Sequence, residues 1–311
     1  MKRISTIIPN FNTAQWLSQA LDSVLSQHGD FELEIIIVDD HSTDNSWEIL
    51  KEYQEKFPEQ IHIYRNEGKG GNFARNFGFT KSTGDFIQWL DSDDVLLPNK
   101  FAEQMEFFLL NEEVEITYSD WRMDLYENGQ KIDEVIRREK PETFFLQKLI
   151  LDEWKPNNSY LLRRSMAEKL HRLTAWNPER KVAQDREYFT LAAIHTAKFA
   201  YVPGLFSVYN RWSSKSVSAM NFKRRLRLSL ELEEFFMEEI VAQEWIPPAE
   251  KKKLVALLKT DSLKACFYDP RLKIRKPVSF NEIKWKRIHY KMRPFIPFIF
   301  LWQNFKLKLQ K

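Results

Sequence analysis

Up to Tyr118, short apolar runs alternate with stripes of apolar residues at helical spacing. Ile4–Ile8 and Leu33–Val38 are continuous and rich in β-branched residues, the pattern of strands buried on both faces. Between them Trp16, Leu17, Ala20, Leu21, Val24 and Leu25 recur as a helix stripe, with Asn12 or Thr13 available as N-cap. The same reading predicts a helix near Ser46–Phe57, a strand at Ile61–Arg65, a helix at Asn72–Ser82 and a strand at Phe86–Leu90. A proline-opened helix at Pro98–Leu110 and a strand at Val114–Tyr118 complete the series. Strand–helix alternation of this kind predicts an α/β fold with a mainly parallel sheet covered by helices on both sides.

The rhythm then changes. Gly129–Lys140 is charged and irregular, a surface hairpin or loop, and Ala183–Ala197 is a helix with Tyr188, Leu191, Ala192 and His195 on one face. Beyond about Val217 come long charged helices, Phe222–Ala242 and Ala249–Tyr268, so a boundary falls there. No internal repeat interrupts the chain.

Composition narrows the class. Cys266 is the only cysteine, which excludes an internal disulfide framework and fits a reducing compartment. The histidines show no zinc spacing. Met1-Lys2-Arg3 leads straight into a strand pattern rather than a signal-peptide core, and Phe295–Trp302 is too short to span a bilayer. A cytoplasmic protein is expected. Net charge is only +3, but residues 271–311 hold twelve Lys/Arg against the single acid Glu282.

Ligands of open α/β sheets sit at the carboxyl ends of strands. Three polar clusters fall there: Pro9-Asn10-Phe11-Asn12, Asp39-Asp40-His41-Ser42-Thr43-Asp44 and Asp91-Ser92-Asp93-Asp94. Crowded carboxylates repel one another unless a cation neutralises them, and hard oxygen ligands suit Mg²⁺ or Mn²⁺, hence phosphate chemistry. The Asp39 cluster taken alone is equally well read as a capped turn. No G-x-G-x-x-G follows the first strand and no G-x-x-x-x-G-K-[ST] occurs, so neither a dinucleotide fold nor a P-loop is supported; Gly68-Lys69-Gly70-Gly71 only partly echoes a phosphate loop.

Ser5–Asn12, Val38–Ser46, Ala74-Arg75-Asn76-Phe77-Gly78 and Leu90–Asp94 appear in the order seen in family 2 glycosyltransferases. They resemble that family's opening strand, nucleoside-binding loop, central helix and D-x-D metal motif. The resemblance implies a GT-A fold over residues 1–216, with a nucleotide-binding half at 1–110, an acceptor half at 111–216 and a helical, basic extension at 217–311. More weakly, Ser159–Ser165 is similar to the strand-to-helix element before the family's catalytic segment, and Trp176-Asn177-Pro178-Glu179 takes the place of a common Phe-Asp-Glu. Gln184-Asp185 matches the Glu/Gln-Asp motif of the catalytic base. Tyr209–Ser218 resembles a closing loop in which Ser213 stands where the family often carries histidine, leaving Arg211 and Lys215 as candidates for phosphate contact.

The resemblance thus implies a metal-dependent, inverting transferase using a nucleotide sugar, of UDP type, on a glycan or lipid-linked acceptor in surface polysaccharide synthesis. Asp93 and Asp94 would hold the cation, with Asp91 beside them. Asp40 would accept the nucleobase imide N–H and Phe11 would stack on the base. Pro9 and Asp39 would shape the nucleotide pocket, and Lys69 and Arg75 would add charge near the diphosphate, although Arg75 suits a structural ion pair equally well. Asp185 would take the acceptor proton; its other reading is a helix N-cap. Asp120, just past its strand, suits a surface or turn role better than the acceptor pocket. A sugar nucleotidyltransferase would need a Gly-rich, Arg-bearing loop that Pro9–Asn12 does not supply. A degenerate binding or scaffolding subunit is the other alternative.

The cationic, aromatic tail fits an anionic membrane surface, with nucleic acid less favoured because Phe295–Trp302 suits lipid better than a phosphate backbone. A C-terminal helix laying its aromatics on the core is the competing reading.

Overall fold

The computed structural model describes residues 1–151, 153–180, 183–212, 222–269, 271–274 and 278–308. Two compact units divide the chain. The first comprises Met1–Thr143, Trp154–Tyr188 and Thr196–Ser216; the second comprises Phe144–Glu153, Phe189–His195 and Val217–Lys311.

The first unit is built on one mixed sheet. β1 (Lys2–Asn10), α1 (Ala14–Leu25), β2 (Phe31–Asp39), α2 (Ser46–Lys56), β3 (Ile61–Arg65), α3 (Gly71–Lys81) and β4 (Phe86–Trp89) follow the expected alternation. β5 (Val95–Leu96), α4 (Lys100–Leu110), β6 (Ile116–Glu127) and β7 (Gln130–Arg137) come next. The strand order is β3-β2-β1-β4, then β8 (Tyr160–Arg163), β6, β9 (Phe199–Trp212) and β5, with β7 beside β6. β1 to β4 are parallel, whereas β8 runs antiparallel between β4 and β6.

Side chains on β1 and β2 alternate between two cores. Ile4, Ile8, Ile35 and Ile37 face a cluster with Leu17, Leu21, Leu50 and Phe101 from the helices on that side. Ile7, Ile36 and Val38 face α3, where Gly78 lets the helix approach so closely that a Cβ would lie 2.7 Å from Ile7 Cγ2. Each continuous apolar run therefore feeds both faces, as a buried parallel strand must.

The Gly129–Lys140 segment takes the hairpin form of its reading: β7 pairs antiparallel with β6, and its residues are nearly all exposed. Two expectations change. β6 extends well past Tyr118. Asp120 consequently lies within that strand, 2 % exposed, and accepts hydrogen bonds from Arg138 (2.8 Å), the Glu139 amide (2.7 Å) and Tyr201 (2.7 Å). A buried carboxylate with three donors is a structural knot rather than a surface turn.

The second unit is helical: α5 (Phe145–Ile150), the end of α7 (Gln184–His195), α8 (Phe222–Ala242), α9 (Pro248–Tyr268) and α10 (Ile296–Lys308). α6 (Arg164–Arg172) belongs to the first. The tail folds onto α9 through Ile274, Val278, Ile283, Ile288, Met292 and Ile296.

Candidate active site

Parallel register brings strand ends abreast, so Asn10 lies beside Asp39 and Asp39 beside Arg65. Asp39 is fully buried. It accepts hydrogen bonds from Asn10 Nδ2 (2.7 Å) and the Ser42 amide (3.1 Å) and pairs with Arg65, whose guanidinium lies 3.8 Å from the Trp47 ring centre. Through these contacts Asp39 braces three strand ends.

Asp40 is placed differently. Its Oδ1 accepts from Asn66 Nδ2 (2.6 Å) and its Oδ2 from the Gly70 amide (2.8 Å), which ties the Gly68–Gly71 loop to the end of β2. Phe11 is 57 % exposed next to this loop's anchor strand, an uncovered ring. Pro9 is half-buried within β1, and Lys69 is exposed on the Gly68–Gly71 loop.

The carboxylates Asp91–Asp94 form a tight turn between β4 and β5, closed by the Asp94 amide donating to the Asp91 carbonyl (3.0 Å). Asp94 is 1 % exposed, and both its oxygens are engaged, by Asn158 Nδ2 (3.1 Å) and the Asn210 amide (2.8 Å). Asp94 was expected among the ion's ligands; here its two oxygens accept these hydrogen bonds, which anchor the turn. Asp93 gives one oxygen to Trp212 Nε1 (3.0 Å), and Asp91 gives one to Arg75 (2.5 Å) and Asn157 Nδ2 (3.1 Å). Burial, with repulsion from Asp91 added, pushes the Asp93 carboxyl up to about 7. Burial and then the charges of Asp93 and Asp91 raise Asp94 well above the usual carboxylate range.

Such a cluster is short of positive charge, and a divalent cation would relieve it. Among the described residues no three His, Cys, Asp or Glu side chains gather into a cage. Mg²⁺ and Mn²⁺ do not require one, because one or two carboxylates suffice when substrate phosphates and water fill the remaining positions. Asp93 and Asp91, each committing a single oxygen to its side-chain donors, fit that demand.

Arg75 is 5 % exposed, so it is no free phosphate ligand. Its guanidinium lies 4.5 Å from the Trp176 ring centre, donates to Asp91, and reaches Asn72 Oδ1 (3.1 Å) and Gln184 Oε1 (3.4 Å). α3 also holds the segment before α7, with Asn72 donating to the Asn177 carbonyl and Asn76 to the Trp176 carbonyl, both at 2.7 Å. Trp176 in turn stacks on Tyr188 at 4.3 Å.

Asp185 follows on this platform. The helix begins at Gln184, so Asp185 stands within the first turn and is not the N-cap. Burial first, then the negative charge of Asp91, pushes its carboxyl up to about 7, against the opposing pull of Arg75 and of hydrogen bonds from Asn157. Ala183, immediately before, has φ 53°, a left-handed conformation costly for alanine.

Arg211 is exposed near the end of β9. Ser213 and Lys215 lie outside the described residues. Asn157, Asn158, Asn210 and Trp212 were not singled out from sequence, yet they hold the carboxylates in place. Trp212 is itself clamped between Trp16 and Tyr126, each 4.2 Å away. Asn210 and Trp212 do fall in the Tyr209–Ser218 segment that resembles a closing loop, and the pair Asn157-Asn158, two polar residues just ahead of the apolar strand Tyr160–Arg163, was a second hint.

A mixed α/β sheet with its polar turns gathered at the carboxyl ends of its parallel strands defines a nucleotide-diphospho-sugar transferase fold of the GT-A type. Comparison with known proteins agrees: the pattern of glycosyl transferase family 2 matches residues 5–170, and the chain belongs to that family. An uncharacterized glycosyltransferase of Nostoc sp. is 36 % identical over 54 % of this chain and 53 % of its own length. The putative teichuronic acid biosynthesis glycosyltransferase TuaG of Bacillus subtilis is 39 % identical over 34 % of this chain and 42 % of its own. The chain thus spans about half the length of these relatives, or less. Among solved structures, S. aureus TarS 1-349 in complex with UDP-GlcNAc superposes with a TM-score of 0.68 at 16 % identity, covering 99 % of this chain and 89 % of that 1-349 chain.

Proposed function

We propose that the chain transfers a sugar from a UDP-type nucleotide sugar to a glycan or lipid-linked acceptor of a cell-surface polysaccharide, in one inverting step assisted by Mg²⁺ or Mn²⁺. The observation that carries this reading is the reach of Arg75, which joins Asp91 of the carboxylate turn to Gln184 beside Asp185. A group suited to the leaving diphosphate and a group suited to the acceptor hydroxyl thereby share one network. TarS structures with UDP-GlcNAc and with UDP, and that of GalNAc-T7 with UDP, GalNAc and Mn²⁺, support the donor and the cation. The B. subtilis relatives, TuaG and the minor teichoic acid biosynthesis protein GgaB, support a wall-type polysaccharide acceptor.

In this reading Asp40 and Phe11 receive the base, Pro9 and Asp39 support that pocket from behind, and Lys69 and Arg211 supply exposed positive charge to the diphosphate. Asp93 and Asp91 hold the cation, which would neutralise charge building on the leaving group. Asp94, Asn158 and Asn210 fix the turn. Asp185 takes the proton of the acceptor hydroxyl as its oxygen bonds to the anomeric carbon. The bond to the diphosphate breaks on the opposite face, and its electron pair leaves with UDP. One displacement inverts the anomeric centre. The enzyme would work in the cytoplasm, meeting lipid-linked acceptors at the inner membrane face.

The test is a screen of nucleotide sugars with Mg²⁺ or Mn²⁺, read by release of nucleoside diphosphate. Turnover of at least one UDP-sugar, lost on chelation, is expected. Neither binding nor turnover with any nucleoside-diphosphate sugar would instead favour a scaffolding subunit.

A further inference from the structure

α10 has two apolar faces, and only one is used. Ile296 and Gln303 are fully buried, the latter donating to the Leu272 carbonyl at 2.8 Å. On the other side Phe298 (73 % exposed), Leu301 (63 %), Trp302 (50 %) and Phe305 (52 %) follow one another at i, i+3, i+4 and i+7. That spacing aligns them along one stripe of the helix. Phe295, 55 % exposed, stands just ahead of the helix, and Tyr290, 65 % exposed, lies in the turn that leads to it. A water-facing stripe of large aromatics is the reverse of an ordinary surface helix.

We propose that this stripe is a docking surface for an anionic lipid bilayer, into whose interface α10 sinks lengthwise. Charge selects the occupant. Lys286, Lys291 and Arg293 are exposed in the segment that leads into α10, Lys306 lies 5.2 Å from the Trp302 ring centre, and residues 271–311 carry twelve Lys/Arg against one acid. A second copy of the chain would set this positive surface against itself across a two-fold axis. A bilayer rich in acidic headgroups meets it with the opposite sign and offers hydrocarbon to the rings. Length excludes crossing: the thirteen residues of α10 reach about 20 Å, short of the roughly 30 Å hydrocarbon core. No helix among the described residues is long and apolar enough to span a membrane. Trp302 and Tyr290 are also the residue types that settle at the headgroup level.

The experiment is flotation of the full chain with vesicles of phosphatidylcholine alone or mixed with phosphatidylglycerol. Binding to the mixed vesicles only, weakened by salt, is expected. Phe298→Ser with Trp302→Ser should abolish flotation, and Lys291→Glu with Arg293→Glu should lower partitioning about tenfold or more, at roughly 1 kcal/mol per charge near the surface. Circular dichroism checks that each variant is folded. A Leu301→Cys variant carrying a polarity-sensitive dye gives an independent reading, with a blue shift on anionic vesicles expected. Absence of both flotation and blue shift overturns the proposal. So does a dimer that the aromatic substitutions dissociate, or retention by RNA that exceeds retention by vesicles.

Discussion

At the level of single side chains, the proposed mechanism turns on Asp185. A carboxyl held near 7 is half ionised at neutral pH, a suitable state for a general base. Only the ionised form accepts a proton, so kcat/KM should climb as pH rises through about 7 and fall off below it. Asp185→Asn should cost about 10²–10⁴-fold in kcat while leaving UDP affinity unchanged by calorimetry; a mutant with ordinary turnover would exclude Asp185 from the reaction. Stability has the opposite sign. Because the folded-state pKa lies above that of an unfolded aspartate, the charged form opposes folding, and stability is lost as pH rises through about 7. In metal-free protein at alkaline pH, Asp185→Asn should therefore melt higher than the native chain, with the difference vanishing below about pH 4, the unfolded value. The proposed catalytic use and folding would be in tension at this one carboxylate.

At the scale of elements, two contacts carry most of the geometry. Asn158→Ala removes a donor from buried Asp94 and from the Val208 carbonyl; a loss of about 1–3 kcal/mol in denaturant melts is expected, together with weaker cation dependence of turnover. Gly78→Ala puts a methyl 2.7 Å from Ile7 Cγ2 and should cost about 1–3 kcal/mol by overpacking, lowering the melting temperature without touching a ligand. The elements on which Gly78 sits were legible because β1, β2 and α3 are strongly periodic and internally consistent. β7 was legible only as a hairpin or loop, because an exposed strand has no apolar alternation to decide between them. β9 was hidden by Pro203-Gly204, an ordinary turn signal. Here the pair lies inside a strand whose register against β6 shifts between Tyr118 and Trp121, and Gly204 takes φ 147°. The carboxylates could be found from sequence as clusters. Their asparagine holders could not, since Asn157 and Asn158 act on partners more than sixty positions away.

For the whole molecule, ligand and fold should be thermodynamically linked. An unliganded site crowded with Asp91, Asp93, Asp94 and Asp185 is strained by like charge, so cation and nucleotide should stabilise it together. UDP with Mn²⁺ at a hundredfold excess over Kd should add about 2.7 kcal/mol, read as a higher melting temperature that chelation reverses. If UDP alone raised it equally, cation dependence would be refuted. The charge asymmetry between the acidic bulk of the chain and its basic end belongs to this scale as well, since neither half of that imbalance is visible in a net charge of +3.

The antiparallel insertion of β8 has a consequence for how such a site can change over time. A strand entering from the opposite end presents its first residues where its neighbours present their last. Asn157 and Asn158, at the mouth of β8, therefore meet a turn that follows β4. Two stretches of the gene are thereby read as one word. Drift at Asp94 must be answered at residue 158, but residue 158 also answers to the Val208 carbonyl, so a plain exchange of the two side chains would set a carboxylate against that carbonyl and compensate nothing.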